Sequence, residues 1–69
     1  MTNTTYGKRY RPTLEIIAQD FKRILEDGTA SLENVQARTG YKTQEVERAR
    51  DYLIARNEIR EVEDNYELM

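Results

Sequence analysis

The chain has 69 residues, of which 35% are charged, and its formal net charge is −2. This length predicts one small domain with a thin hydrophobic core. The sequence has no Cys and no His, which excludes disulfides, the usual zinc and redox sites, and Ser–His or Cys–His catalysis. We therefore expect no enzyme, no cofactor, no catalytic residues and no metal site.

We expect a complete cytoplasmic protein with no membrane partner. The longest uncharged run is far too short to cross a bilayer. Residues 1–6 are polar and no apolar stretch follows Lys8 and Arg9, so the beginning of the chain does not resemble a signal peptide.

The charges are distributed unevenly along the chain. Residues 1–12 carry a net charge of +3, residues 13–30 carry −2, residues 31–56 carry +1 and residues 57–69 carry −4. The chain therefore has a basic beginning and an acidic end, and this asymmetry bears on the partners that each end can attract.

Residues 1–11 lack apolar periodicity, which predicts a flexible basic arm ahead of a domain that spans residues 12–69. Pro12 suits the first turn of a helix, because its missing N–H needs no partner there. Asp27-Gly28 ends this helix, since Gly28 can adopt a left-handed conformation. Between these limits apolar residues recur with helical spacing, at Leu14, Ile17, Ala18, Phe21, Ile24 and Leu25.

Two further helices are predicted next. The hydroxyl of Ser31 can cap the first of them, and Gly40 ends it after about two turns. The second begins at Lys42 or Thr43 and runs to Arg56. Their apolar faces consist of Leu32 and Val35 in the first and of Val46, Ala49 and Leu53 in the second, with Tyr52 and Ile54 on the flanks.

The rest of the chain alternates about a polar turn, which predicts a short β-hairpin. Residues 59–62 are its first strand, residues 63–65 the turn and residues 66–69 its second strand. Asn57 can take a left-handed conformation and so end the preceding helix. Because a lone hairpin is barely stable, we expect it to pack on the helices, with Thr29-Ala30 as a candidate third strand.

The resulting order of helix, short strand, helix, tight turn, helix and hairpin resembles the winged helix-turn-helix family. Val35, Gly40, Val46 and Ala49 fall at offsets 0, +5, +11 and +14, similar to the spacing in that family. The resemblance covers residues 13–69. It implies a mainly α fold with a small β-hairpin (α+β), in which residues 31–41 form the first helix and the turn, residues 43–53 the recognition helix and residues from 57 onward the wing.

Three features depart from the family. Gln36 stands where an Ala is usual, at the closest approach of the two helices. Arg50 stands where a core Leu is usual, so its charge must reach solvent, find a carboxylate or lie at an edge left open for a partner. The wing is acidic, which opposes its approach to a phosphate backbone.

The resemblance implies that the recognition helix enters the major groove of duplex DNA. Gln44 would then read adenine, Arg48 would read guanine or grip a phosphate, and Arg38 with Lys42 would contact phosphates beside the turn. The same residues also fit an ordinary solvated face of a helix, because acids share it. The outward positions are Lys42, Thr43, Gln44, Glu47, Arg48 and Asp51.

Residues 6–11 interleave two tyrosines with three bases. Such an arm can enter a narrow minor groove beside a domain docked in the major groove, through Lys8, Arg9 and Arg11. The composition also suits stacking on single strands, and it equally suits a solubilising tail.

Winged helices also bind proteins, as adaptors or inhibitors, and a fold alone does not choose between the two uses. Ile16 points away from the apolar stripe of its helix, which predicts an exposed aliphatic side chain. This side chain can contact a partner or can simply be a lone apolar residue on the surface. The acidic wing can dock a basic surface. A homodimer is compatible with either use. We name Ile16, Arg50 and Ile54 as candidate partner or dimer contacts.

The carboxylates near residues 61–67 are weak candidates for a metal or enzymatic site, because alternating strand directions separate several of them. The sequence therefore predicts a small duplex-DNA-binding protein, specific or non-specific, that regulates transcription in a phage, virus or plasmid type of genome. The alternative is a winged-helix module that binds a host or partner protein and no DNA.

Overall fold

The computed structural model of the chain describes residues 12–69. The predicted arm of residues 1–11 and its DNA contacts Lys8, Arg9 and Arg11 lie outside the described residues and stay predictions. The described chain forms three helices and then an antiparallel hairpin, so the predicted α+β class is confirmed. The elements are α1 (Leu14–Leu25), α2 (Leu32–Thr39), α3 (Thr43–Ala55), β1 (Ile59–Val62) and β2 (Asn65–Leu68).

Helix α1 begins after Pro12, although the sequence predicts Pro12 in its first turn. Pro12 lies outside the helix and Thr13 is its N-cap, with the Thr13 hydroxyl accepting a hydrogen bond of 3.2 Å from the Ile16 N–H. A threonine hydroxyl can satisfy a free N–H of the first turn, which proline cannot do, so the cap falls on Thr13. The predicted end is confirmed, because α1 stops at Leu25 and Gly28 has a φ of 133°.

The caps of α2 are the ones that its sequence predicts. The Ser31 hydroxyl accepts a hydrogen bond of 3.1 Å from the Asn34 N–H. Gly40 ends the helix in the left-handed conformation, with a φ of 80° and its N–H bonded to the Gln36 carbonyl. These two caps define a helix of only 8 residues.

Replacing Gly40 with Ala is expected to lower the free energy of unfolding by about 1 kcal/mol, because an L side chain resists the left-handed conformation. No atom lies within 4 Å of the added Cβ, so the cost is conformational and not steric. Gly40→Asn should cost less, since asparagine tolerates this conformation. Urea denaturation of both variants checks the order, and equal losses would contradict the conformational explanation.

The third helix begins after Lys42, whose N–H donates a hydrogen bond of 2.9 Å to the Glu45 carboxylate. It ends at Ala55, one residue earlier than predicted, and Asn57 takes the predicted left-handed conformation with a φ of 61°. The chain turns back directly after Asn57, where the Glu58 N–H donates a hydrogen bond of 2.9 Å to the Leu53 carbonyl.

The hairpin has a tighter turn than the sequence predicts. Asn65 belongs to β2 and pairs with Val62, which leaves Glu63 and Asp64 as the turn. Glu63 closes it with a φ of 58°. On the other edge of β2, Ala30 and Tyr66 exchange backbone hydrogen bonds of 3.2 and 2.8 Å. The candidate third strand is therefore reduced to a single bridging residue.

The core lies where α1 packs on α3 and on the hairpin. Phe21 is fully buried, and its ring meets the Tyr66 ring edge-to-face, with 6.0 Å between the centroids. Such a contact adds to the burial of the two rings and ties α1 to β2. The buried residues are Ile17, Ala18, Phe21, Ile24, Leu25, Ala30, Val35, Val46, Ala49, Leu53, Ile59 and Tyr66.

Candidate nucleic-acid interface

One side of α3 is turned fully to solvent. Its buried residues Val46, Ala49 and Leu53 face the core, so the positions between them point away from the protein. The sequence placed six residues on this outward face, and all are exposed. They are Lys42, Thr43, Gln44, Glu47, Arg48 and Asp51.

Two cations of this face stand apart from the others. Within residues 12–69, Lys42 and Arg48 form no ion pair, whereas each of the six other described cations lies within 4.0 Å of a carboxylate. Gln44 lies one turn before Arg48, so their side chains are neighbours on the helix surface. The pairs elsewhere are Lys22–Glu58, Arg23–Asp20, Arg38–Asp27, Arg50–Asp51, Arg56–Glu58 and Arg60–Glu67.

The outward face carries two carboxylates, and one of them is paired with a cation. Asp51 accepts a hydrogen bond of 2.9 Å from the Arg50 guanidinium, whereas in the described part of the chain Glu47 has no cationic partner. Half-buried Glu45, beside this face, accepts a hydrogen bond from the Lys42 N–H, which leaves its negative charge in place. The negative charges that compete with an anionic ligand here are therefore those of Glu47 and Glu45.

Arg38 lies at the end of α2, directly before the turn. Its guanidinium is 3.6 Å from the Asp27 carboxylate, and both side chains are more than half exposed. An exposed pair at this distance contributes little to stability, so Arg38 can exchange its partner for another anion.

The turn between α2 and α3 is held to α1 by a contact that the sequence does not predict. The Tyr41 hydroxyl donates a hydrogen bond of 2.5 Å to Asp20, and the Tyr41 N–H donates to the Thr39 hydroxyl at 3.3 Å. The first bond ties Tyr41, just before α3, to α1, and the second ties it to the end of α2. Together they set the direction in which Lys42 leaves the protein. An aromatic residue directly after the Gly of the turn is the one sequence signal for this contact.

The described chain begins beside the outward face. Pro12, Leu14 and Ile17 line a shallow cleft of about 140 Å³ together with Glu45 and Arg48 of α3. Leu14 is 39% exposed, although its helical spacing predicts a buried position. It lies in the first turn of α1, where α2, α3 and the hairpin leave its outer side uncovered. Apolar surface thus meets a guanidinium that has no carboxylate partner in residues 12–69.

The three proposed partner contacts differ in burial and in the bonds they form. Arg50 is engaged inside its own chain: it donates to Asp51 at 2.9 Å and to the Tyr66 hydroxyl at 3.3 Å, hydrogen bonds that raise its pKa above the ordinary value. Ile16 is half-buried and not exposed as predicted. Ile54 is 39% exposed. Gln36 is half-buried, so its amide is not sealed between the helices.

A second charged cluster joins the ends of three elements. Lys22 of α1 and Arg56 after α3 each approach a different oxygen of Glu58 at 2.6 Å. The Arg56 guanidinium also lies 5.2 Å from the centre of the Tyr52 ring. Hydrogen bonds from Lys22 and Arg56 hold the pKa of Glu58 below its usual value.

This lowered pKa predicts a pH-dependent contribution to stability. The unfolded chain binds a proton at residue 58 at higher pH than the folded chain does, so the contribution is complete above about pH 4.5 and is lost as the pH falls toward the folded pKa. We expect the difference in unfolding free energy between the wild type and Glu58→Gln to be largest near pH 7 and to shrink below pH ~4.5. Urea denaturation from pH 7 to pH 3 measures it; a constant difference contradicts the assignment.

The hairpin carries the acidic end of the chain. Arg60 and Glu67, which face each other across the strands, form an ion pair of 2.6 Å. Glu61, Glu63 and Asp64 are exposed and have no cationic partner among residues 12–69. In the same range, no group of three or more acidic side chains is placed to hold a metal ion.

None of the helices α1, α2 and α3 is long and apolar enough to cross a membrane. No family model, no curated protein and no solved structure matches the chain.

Proposed function

We propose that this chain is a small duplex-DNA-binding protein of the winged helix-turn-helix type, which regulates transcription by occupying its target site. The observation that carries the proposal is the pair Lys42 and Arg48. Both are exposed, Lys42 directly before α3 and Arg48 in its second turn, and neither is paired with a carboxylate of residues 12–69. Phosphate neutralisation by such cations supplies most of the affinity of non-specific DNA binding.

The shape of the outward face also supports the proposal. A helix that enters the major groove contacts bases through side chains of its first turns. In α3 these positions hold Thr43, Gln44 and Arg48, of which Gln44 suits adenine and Arg48 suits guanine. Arg38 and Lys42 flank the turn and suit the phosphates on either side.

The basic residues before Pro12 add to this face. Lys8, Arg9 and Arg11 precede Pro12 in the sequence, and Pro12 lines the cleft that also contains Arg48. The segment is therefore attached to the domain next to the proposed DNA-binding face, and it contributes three more positive charges to the chain.

Titration of a labelled random duplex with the full chain, at about 50 mM and about 200 mM salt, tests the proposal. On a random duplex Arg48 contacts a phosphate and reads no base. Six phosphate contacts, by Arg38, Lys42, Arg48 and the three arm bases, then predict an affinity about 10³-fold lower at the higher salt. Deleting residues 1–11 should reduce the salt slope by about 2.7, and replacing only Lys8, Arg9 and Arg11 with Gln should do the same. This matched variant keeps the length of the arm, so a difference between the two would assign the remaining effect to the other residues of the segment, which include Tyr6 and Tyr10.

Absence of binding at about 50 mM salt would overturn the proposal, since electrostatic attraction is then at its strongest in this series. The chain would in that case be tested as a winged-helix adaptor or inhibitor that binds a protein.

A further inference from the structure

The tip of the hairpin combines an exposed apolar side chain with free carboxylates. Val62 is 38% exposed at the end of β1, and the turn residues Glu63 and Asp64 follow it directly. Both carboxylates lack an ion-pair partner within the described chain, whereas Glu67 further along the hairpin is paired with Arg60. The hairpin tip, defined as residues 61–64, is thus an apolar contact framed by negative charge.

The cleft beside the beginning of α3 has the opposite character. Its apolar wall is formed by Pro12, Leu14 and Ile17, and the guanidinium of Arg48 lies at its edge without a carboxylate partner in residues 12–69. Glu45 also lines the cleft, but its carboxylate is bound to the Lys42 N–H at the helix N-terminus.

We propose that the hairpin tip of one copy of this chain docks in the Pro12–Leu14–Arg48 cleft of a second copy. Val62 would meet Leu14, and Glu63 and Asp64 would approach Arg48 and Lys42. Charge complementarity selects this occupant, because Glu63 and Asp64 have no ion-pair partner and Arg48 and Lys42 have no carboxylate partner among residues 12–69. Val62 on the tip and Leu14 and Arg48 in the cleft are exposed within residues 12–69, so these contact residues are accessible in the described part of the chain.

The contact joins two different surfaces, so it is head-to-tail. A pair of copies still offers one free tip and one free cleft, one on each copy, so association continues into short chains or closes into a ring. A hairpin tip in a cleft of about 140 Å³ is a small interface, for which we expect a dissociation constant on the order of 100 µM that rises with salt.

Self-association would regulate the DNA-binding face. Arg48 and Lys42 cannot bind a neighbouring tip and a phosphate backbone together, so the two contacts exclude each other. This competition rests on the proposed function, whereas the self-association does not.

Sedimentation velocity of the full chain from about 10 µM to about 1 mM, at low salt, tests the proposal. The weight-average mass should rise with concentration for the wild type. It should stay at 8.2 kDa for a tip variant, Glu63→Asn with Asp64→Asn, and for a cleft variant, Lys42→Gln with Arg48→Gln. Glu26→Gln with Glu33→Gln is the matched control: it also removes two exposed carboxylates without a described ion pair, and it should associate like the wild type.

A one-to-one mixture of the tip and cleft variants gives the sharpest result. The intact tip of the cleft variant can dock in the intact cleft of the tip variant, so the mixture should form a dimer and nothing larger. A monomeric wild type at about 1 mM, a mixture that stays monomeric, or self-association of either variant would each overturn the proposal. Val62→Thr keeps the side-chain shape and should weaken association several-fold. An unchanged affinity would show that Val62 makes no apolar contact, and it would overturn the proposed docking of Val62 against Leu14.

The DNA titration separates this proposal from the proposed function. The cleft variant should lose both activities, whereas the tip variant should lose association and keep its DNA affinity. Association without any DNA binding would overturn the proposed function alone, and DNA binding by a strictly monomeric chain would overturn this inference alone.

Discussion

Replacing Phe21 with Ala is expected to unfold the protein. Phe21 is fully buried at the junction of α1, α3 and β2, and its ring contacts the Tyr66 ring edge-to-face. Removing a buried phenylalanine side chain costs about 3–5 kcal/mol, through lost burial and the cavity that remains. A core of this size rarely supplies more than about 3–5 kcal/mol of net stability, so the loss consumes nearly all of it.

Far-UV circular dichroism during thermal and urea denaturation measures this effect. The variant should show little helix at 25 °C, whereas the control Ile54→Ala should melt like the wild type, because Ile54 is 39% exposed on α3. A cooperative transition of the Phe21→Ala variant within a few degrees of the wild type would contradict the central place of this side chain in the core.

Removing Lys42 and Arg48 together is expected to reduce DNA affinity more than any other pair of surface substitutions in residues 12–69. Loss of a base contact by Arg48 costs about 1–3 kcal/mol on a selected duplex, and loss of a phosphate contact by Lys42 lowers the salt slope by about 1. The two residues have no carboxylate partner in the described chain, so their removal leaves no acid newly exposed and the fold should persist.

Fluorescence anisotropy with Lys42→Ala/Arg48→Ala, on a duplex selected by the wild type, measures the loss. The matched control is Arg60→Ala with Arg23→Ala, which removes two exposed cations whose partners are Glu67 and Asp20. Equal losses in both double variants would show that the affinity depends on overall charge and not on the face of α3.

The helices could be predicted from the sequence because each has a local signal. The apolar spacing of α1 and the capping residues Ser31 and Gly40 act within one or two helical turns, so they require no knowledge of the rest of the chain. The same holds for Asn57, whose left-handed conformation ends α3 where the sequence indicates. The hairpin was predicted with a shift of one residue, because the sequence does not show whether Asn65 turns or pairs.

The contacts between residues distant in the chain depended on the tertiary structure. The sequence identified Arg50 as a charge in need of a partner, but only the packing of β2 beside α3 brings the Tyr66 hydroxyl to it. The bond from Tyr41 to Asp20 likewise joins residues 21 positions apart. Such pairs arise from the packing angles of whole elements, which a local pattern does not specify.

The candidate site divides in the same way. The outward position of Lys42, Gln44 and Arg48 was determined by the sequence alone, because helical periodicity places them opposite the buried residues of α3. Only the fold decided which cations of residues 12–69 have no carboxylate partner. It also decided that Leu14 is exposed beside Arg48. Charge pairing and exposure depend on which elements pack together, so they are settled only when α1, α3 and the hairpin have assembled.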